Sequence, residues 1–322
     1  MKGIIVCAGK GTRLYPFTHR YPKTLLPVGN IPLLHTCIEN LAEQEIDEIG
    51  IVLSPAQQPL IARHTAIAAK LGVKLTSIYQ EAPLGIADAV KQAEHFIDGD
   101  SFLLLLGDNL ITDSLSRLKT LLHAEGSSAA VLLKRVEHSH EYGIAEVEDC
   151  RIVGLEEKPL HPKTNLAVMG AYAFAPVIFA AIADISPSSR GEYEITDAIQ
   201  WLIQRNYPVT YQLTEKPIFD VGTVGRWLEA NRWQLDHLHT NQIHATAVLE
   251  NCKIIPPVNI ARGCRIKDCI IGPYVSVGVG ACIQECQLEN SIIMDQVHLT
   301  KAPFAITNTV VGYRSSIVGM HR

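Results

Sequence analysis

A chain of 322 residues is long enough for about two domains, each burying a full-sized core. Hydrophobic residues make up 47% and charged residues 19%, an ordinary globular balance that excludes wholesale disorder. A net charge of −5 and a pI near 6.2, with no basic patch, argue against nucleic acid as a partner but leave room for a small anion held by a few cations.

Ile4-Ile5-Val6-Cys7-Ala8-Gly9 is too short an apolar run for a signal peptide and reads as a first buried strand, with the mature protein expected to start there. Further strands are expected at Ile49-Ile51-Val52-Leu53, Val73-Leu75-Ile78-Tyr79 and Phe102–Leu106, with helices over 33–41, 59–71, 86–96 and 115–123. This alternation predicts an α/β, Rossmann-like fold: a mostly parallel sheet covered on both faces, binding ligands at the carboxyl ends of its strands. From Ala129 to Gln212 the pattern is mixed, with strands expected at Ile144–Val147, Ile152–Leu155 and Ala171–Phe174 and a helix at Ile195–Gln204, completing a pocket wall. The longest apolar stretch, Ala171 to Ala183, is interrupted by Pro176 and falls short of the roughly 20 residues that cross a bilayer, so no membrane segment is expected. Eight cysteines in a long chain without export signals favour reduced thiols in the cytoplasm.

A helix at Val224–Leu238 closes this part, and the boundary falls at Thr240-Asn241-Gln242, giving domains 1–241 and 242–322. Beyond it, a small or β-branched residue, a spacer and an aliphatic residue recur about every six positions, from Cys252-x-Ile254 through Cys269-x-Ile271 and Cys286-x-Leu288 to Val297-x-Leu299. Hexapeptide periodicity predicts a β-helix, here of roughly three coils. Three repeats per coil stack Cys252, Cys269 and Cys286 as small core residues. The competing zinc reading of Cys264-x4-Cys269 and Cys282-x3-Cys286 is the weaker, because all but Cys282 occupy the inward position. His138-x-His140 and His237-x-His239 read as exposed histidines rather than ligands.

The first strand runs into Ala8-Gly9-Lys10-Gly11-Thr12-Arg13-Leu14, followed by Pro22-Lys23 and Leu25-Leu26-Pro27-Val28. Glycines directly after a buried strand let backbone N–H groups approach phosphate oxygens, and Arg13 and Lys23 supply positive charge. The spacing fits neither the Walker pattern nor the G-x-G-x-x-G dinucleotide fingerprint. Asp108 follows the apolar strand 102–106 and is expected at its carboxyl end, whereas Asp98-Gly99-Asp100 precedes that strand and reads as a solvated turn at the opposite edge. Asp220, before Gly222, is a second strand-end carboxylate.

Together these segments resemble the sugar-1-phosphate nucleotidylyltransferase family. Gln80 with Pro83-x-Gly85, Leu106-Gly107-Asp108-Asn109, Tyr142-Gly143, Glu156-Glu157-Lys158-Pro159, Ala167-Val168-x-Gly170, Arg190-Gly191-Glu192, Glu194–Asp197 and Phe219-Asp220-x-Gly222-Thr223 match its glucose-1-phosphate thymidylyltransferase branch in order, over essentially the whole chain. The hexapeptide tail is similar to the long form, which implies a left-handed β-helix. The resemblance implies transfer from dTTP to glucose 1-phosphate, giving dTDP-glucose and pyrophosphate. It implies Arg13 and Lys23 as catalytic cations; Ala8, Gly9, Gly11, Thr12, Gln80, Pro83 and Gly85 at the nucleotide; and Gly143, Glu157, Lys158, Val168 and Arg190 at the sugar phosphate. Asp108 and Asp220 would hold magnesium, which prefers hard oxygens and takes one or two carboxylates besides phosphate. Thr24 stands where the thymidylyl enzymes usually carry Gln and Asp88 where short forms often do, which leaves another NTP such as UTP, or another sugar such as N-acetylglucosamine 1-phosphate, as the alternative; Cys7, where Ala is common, is expected to matter little. A noncatalytic nucleotide-sugar sensor and an acyl-transferring tail, with His298 as its late histidine, are the competing classes. The open end of a short β-helix exposes strand edges, so a homo-oligomer is expected.

Overall fold

Apolar strand residues organise the first of two compact units, which takes in Met1–Lys10, Pro22–Thr24 and Leu34–Ile218; the second takes in Gly11–Tyr21, Leu25–Leu33 and Phe219–Arg322. The structure, a computed structural model, describes residues 1–9, 11–19, 21–123, 126–238 and 242–319. Lys10, His239 and the expected boundary residues Thr240 and Asn241 lie outside the described residues.

In chain order the first unit is built from β1 (Lys2–Val6), α1 (Leu33–Ala42), β2 (Glu48–Leu53), β3 (Lys74–Tyr79), α2 (Ile86–Gln92), β4 (Phe102–Leu106), α3 (Ser116–His123), β5 (Ala129–Arg135), β6 (Gly143–Glu148), β7 (Arg151–Glu157), β8 (Leu166–Phe174), α4 (Ile178–Asp184), α5 (Ile195–Gln204) and β9 (Val209–Leu213). The nine strands form one sheet in the order β3-β2-β1-β4-β8-β5-β9-β7-β6. The pairs β3–β2, β2–β1 and β1–β4 are parallel, as is β5–β9. β8 is antiparallel to both β4 and β5, and β7 to both β9 and β6, which is where the mixed pattern after residue 129 arises.

Several expected elements change length for local reasons. The helix expected over 86–96 stops at Gln92 and resumes at Glu94–Ile97, because Ala93 tightens to φ −87°, ψ −2° and its N–H reaches back to Val90 O. The 59–71 helix is likewise split by a 3₁₀ turn at Ala62–His64. β8 begins five residues before the expected Ala171, and all nine of its residues are buried, as a strand covered on both faces requires. Pro176, read as an interruption, lies just before α4, where a missing N–H costs nothing. No helix among the described residues is long and apolar enough to cross a membrane.

The register fixes the working edge of the sheet. Val6 pairs with Leu106, and Gly107 N donates to Val6 O at 2.9 Å, so the loops leaving β1 and β4 emerge side by side. At the other end of β4, Asp100 meets the N-terminal amine at 3.8 Å, the opposite edge expected for the Asp98-Gly99-Asp100 turn.

In the second unit, α6 (Val224–His237) precedes the β-helix. Its parallel strands stack on three faces, two of five strands and one of four among the described residues, consistent with a left-handed hexapeptide β-helix. This exceeds the roughly three coils legible in the repeat, because the first strand, Gln242–Ile243, lacks the small-x-aliphatic pattern and the last turns, from Ile306–Thr307 to Ser316–Val318, lose the six-residue spacing. The aliphatic positions Ile260, Ile266, Ile271, Val277, Ile283, Leu288, Ile293 and Leu299 form its core. Corners at Asn251, Asp268, Glu285 and Lys301 have φ between +50° and +54°.

Candidate active site

Cys7 and Ala8 leave β1 buried, while a Cβ added at Gly9 would meet nothing within 4 Å. The space over Gly9 is open, as a loop that admits a ligand to its backbone requires. Gly107 is the reverse case: a Cβ there would stand 3.0 Å from Val6 O and 2.8 Å from Thr24 Cγ2. This close approach seats Asp108 beside the first loop, where Lys23 Nζ donates to Asp108 Oδ2 at 2.6 Å. The Lys23 side chain is 9% exposed and that of Asp108 31%, so the carboxylate keeps access to solvent while its partner cation is nearly buried. The sequence-predicted cation and metal-site acid of this unit are thus brought together.

Gln80, at the end of β3, is buried, and its Nε2 donates to Gly85 O at 3.1 Å and to Asp88 Oδ2 at 2.7 Å. Gly85 has φ +108°, and a Cβ there would lie 2.5 Å from Tyr193 O, so only glycine fits. Pro83 is exposed in the loop between them.

The third cluster gathers residues from four elements of the same unit. A Cβ on Gly143 would stand 3.1 Å from Glu157 Oε2, 2.7 Å from Thr196 Cγ2 and 3.6 Å from Val168 Cγ2. Glycine at 143 therefore opens the floor on which Glu157 and Val168 meet. Glu157 Oε2 accepts from Thr196 Oγ1 at 3.1 Å, and its Oε1 faces Lys158 Nζ at 3.5 Å and Arg190 Nη2 at 3.4 Å. Burial pushes the Glu157 carboxyl above its ordinary range, against the pull of Lys158; Glu194 pushes the same way, while Arg190 and the Thr196 hydroxyl oppose it. Arg190 is more committed than the sequence suggested: its Nη2 donates to Glu194 Oε1 at 2.7 Å and it also faces Glu192 at 3.6 Å. Lys158, half exposed, is the freer cation for a phosphate.

In the second unit Gly11 adopts φ +61°, and Leu14 N and Thr18 Oγ1 both donate to its carbonyl, closing the 3₁₀ turn Thr12–Leu14. Leu14 is buried and anchors the turn, leaving Thr12 and Arg13 exposed. A Cβ on Gly222 would stand 3.2 Å from Arg13 Nη2 and 3.2 Å from each carboxylate oxygen of Asp220, so this glycine makes room for both side chains. Asp220 Oδ2 also accepts from Arg226 Nη1 at 3.3 Å. Sequence reasoning missed Arg226, Thr196 and the Gln80–Asp88 contact; the Glu194–Asp197 segment was the signal for Thr196, and Asp88 was visible only as a departure from the family pattern.

With this geometry, the comparisons with known proteins are specific. The family model "Nucleotidyl transferase" matches residues 2–237. The chain belongs to the nucleotidyl transferase family. It is 37% identical over 317 residues to a glucose-1-phosphate thymidylyltransferase of Streptomyces antibioticus, covering 93% of this chain and 89% of that one. It is 35% identical to the low-salt glycan biosynthesis nucleotidyltransferase Agl11 of Haloferax volcanii, over 92% of this chain and 88% of the relative, and 34% identical to a UTP–glucose-1-phosphate uridylyltransferase, AglF, of the same organism, over 63% and 84%. Among solved structures, a putative glucose-1-phosphate thymidylyltransferase from Bacillus anthracis in complex with a sucrose aligns with a TM-score of 0.68 and 33% identity, covering 72% of this chain and 94% of that one.

Proposed function

We propose that this nucleotidyl transferase moves a deoxythymidylyl group from dTTP to glucose 1-phosphate, releasing pyrophosphate. The observation that carries the sugar 1-phosphate as acceptor is the convergence of Gly143, Glu157, Val168 and Thr196 with the exposed Lys158 beside Glu157: a carboxylate to take sugar hydroxyls next to a cation for the phosphate. The names of the relatives support the thymidylyl donor, and the uridylyltransferase among them keeps UTP as the second reading.

The acceptor's phosphate oxygen is already anionic, so it attacks the α-phosphorus in line without a general base, and pyrophosphate departs from the opposite side. Lys23 supplies a donor to the charge that develops on the α-phosphoryl oxygens and on the leaving pyrophosphate, and Arg13, in the second unit, is a cation of the same kind. Asp108 suits magnesium: a partly exposed carboxylate with one oxygen held by Lys23 and the other a hard donor for an ion that completes its shell with water and phosphate. Asp220, in the second unit, offers the same donor type beside Arg226. Magnesium, when bound, would draw the triphosphate oxygens together and offset their charge.

Product analysis with dTTP, UTP, CTP and GTP against glucose 1-phosphate and N-acetylglucosamine 1-phosphate tests the proposal. Formation of dTDP-glucose with stoichiometric pyrophosphate is the expected result, and exclusive use of UTP or GTP would refute the thymidylyl assignment. A chain that releases no pyrophosphate with any pair would be a sensor rather than an enzyme.

A further inference from the structure

The carboxamide of Gln80 is held by two groups that can only accept. Its Nε2 donates to Asp88 Oδ2 at 2.7 Å and to Gly85 O at 3.1 Å. A carboxylate and a backbone carbonyl have no proton to give, so the edge facing them is the NH₂, and the remaining corner of the amide is the acceptor Oε1. Both anchors are themselves fixed. Asp88 Oδ1 accepts from Gln92 Nε2 at 3.3 Å. The Gly85 carbonyl belongs to a turn locked by Tyr193, whose N donates to Leu84 O at 2.7 Å and whose O accepts from Ala87 N at 3.0 Å. Glutamine at position 88 would present either a donor or an acceptor to Gln80; aspartate presents an acceptor alone.

We propose that Asp88 is a positioning residue for base selection, holding Gln80 so that Oε1 is the atom offered to the nucleotide. This rests on the nucleotidyl-transfer reading above and deepens it. An acceptor at that point takes a hydrogen bond from an imide N–H and disfavours a ring nitrogen with a lone pair in the same place. Thymine and uracil carry N3–H, whereas cytosine carries an unprotonated N3. Among pyrimidine triphosphates this contact therefore favours those with an imide edge, and it does not choose between dTTP and UTP. Asp88 touches neither base nor phosphate in this scheme; it acts through Gln80.

The test uses the full-length enzyme with glucose 1-phosphate and four donors: dTTP, UTP, CTP and 3-methylthymidine triphosphate, in which a methyl group replaces the N3 proton. The unaltered enzyme is expected to prefer dTTP over CTP and over the methylated analogue by about 100-fold or more in kcat/KM. Asp88→Ala is expected to raise the dTTP KM about tenfold with kcat within about twofold, and to lower the dTTP-over-CTP ratio by about tenfold. Asp88→Asn, whose amide can turn either a donor or an acceptor to Gln80, should give a ratio between those of the unaltered enzyme and Asp88→Ala. An unchanged ratio in Asp88→Ala, or an equal loss for all four donors, would overturn the inference and leave Asp88 a packing residue. Unimpaired use of the methylated analogue by the unaltered enzyme would overturn it without any variant. Failure of the unaltered enzyme to use either dTTP or UTP would instead defeat the functional reading on which it rests.

Discussion

Asn30 shares its side-chain amide protons among three acceptors on the β-helix: Asn259 Oδ1 at 2.9 Å, Asn259 O at 3.1 Å and Val277 O at 3.1 Å. Asn259 returns the contact, its Nδ2 donating to Gly29 O at 2.8 Å. Gly29 N donates to Asn231 Oδ1 at 3.0 Å, an oxygen that also accepts from Ser276 Oγ at 2.7 Å. The pair Gly29-Asn30, with φ +57° and +65°, joins Pro27–Val28 to Ile31–Pro32 as a two-residue hairpin turn, and a Cβ on Gly29 would lie 2.5 Å from Gln234 Cγ. All of these residues belong to the second unit, so the coils and α6 shape the hairpin that begins a few residues after Lys23.

The first prediction follows from that network. Asn259→Ala removes the donor to Gly29 O and one acceptor of Asn30, and is expected to cost about 1–3 kcal/mol in urea unfolding. A chain ending at residue 241 loses every partner on the coils and should lose both unfolding midpoint and turnover. Full turnover and an unchanged midpoint in that shortened chain would show that the coils do not support the hairpin.

Asp108→Asn should reduce pyrophosphate release by about 100-fold or more, because it removes both a hard oxygen donor and the counter-charge of Lys23. The nearly buried ammonium is then left without its carboxylate, so a stability loss of about 1–3 kcal/mol is expected as well. Chelation of divalent cations should abolish release in the unaltered enzyme, and added magnesium should restore it. Turnover in Asp108→Asn close to that of the unaltered enzyme would remove this carboxylate from the reaction.

The strands were legible where one physical signal dominated. Phe102–Leu106 is an unbroken apolar run, and its carboxyl end located Asp108 without any structure. The coils were legible through Cys252, Cys269 and Cys286, which the register of 253–254 on 270–271 and 287–288 does stack. What the sequence withheld depends on contacts between distant segments. β5 and β9 pair across about 80 residues, and nothing local in Val209–Leu213 announces a partner at Ala129–Leu133. The approaches of Arg190 to Glu194 at 2.7 Å and to Glu157 at 3.4 Å are set by the turn before α5 and by strand pairing, not by any local spacing. Asp88 looked like a departure from a pattern because its role lies in what it accepts from Gln80.

Glu157 couples pH to both stability and substrate binding. Its carboxyl is raised in the folded protein, chiefly by burial, so the folded state holds the proton more tightly than the unfolded chain. That contribution is fully present below the ordinary glutamate range and is lost as pH rises through the raised folded value; above it, the ionised group is a net cost. Glu157→Gln should therefore gain stability relative to the unaltered enzyme at pH 7–8, with the difference shrinking on acidification, while the KM for glucose 1-phosphate rises about tenfold as the sugar loses its charged acceptor. Thermal unfolding across pH together with sugar-phosphate kinetics checks both halves. A variant less stable at neutral pH would mean that the contacts with Lys158, Arg190 and Thr196 outweigh the burial cost.

Three stacked thiols of the coils are placed to donate to backbone carbonyls. Cys252 Sγ points to Glu250 O at 3.2 Å, Cys269 Sγ to Lys267 O at 3.0 Å and Cys286 Sγ to Gln284 O at 3.1 Å, the same contact two residues back in each coil, and a zinc-bound thiolate has no proton for it. Burial pushes Cys269 up to about 11 and Cys7, in the first loop, up to about 12, far from the thiolate form at pH 8. Cys150 is the exposed thiol, in a turn between β6 and β7. A thiol-disulfide reagent at pH 8 should accordingly modify Cys150 fast, the half-buried Cys252 and Cys282 more slowly, and the remaining five of the eight only as the chain unfolds. Cys150→Ala should delete the fast phase alone. Fast modification of Cys264, Cys269 or Cys286 in the native enzyme, or stoichiometric zinc released as they react, would show that these sulfurs are not packed in the coil interior.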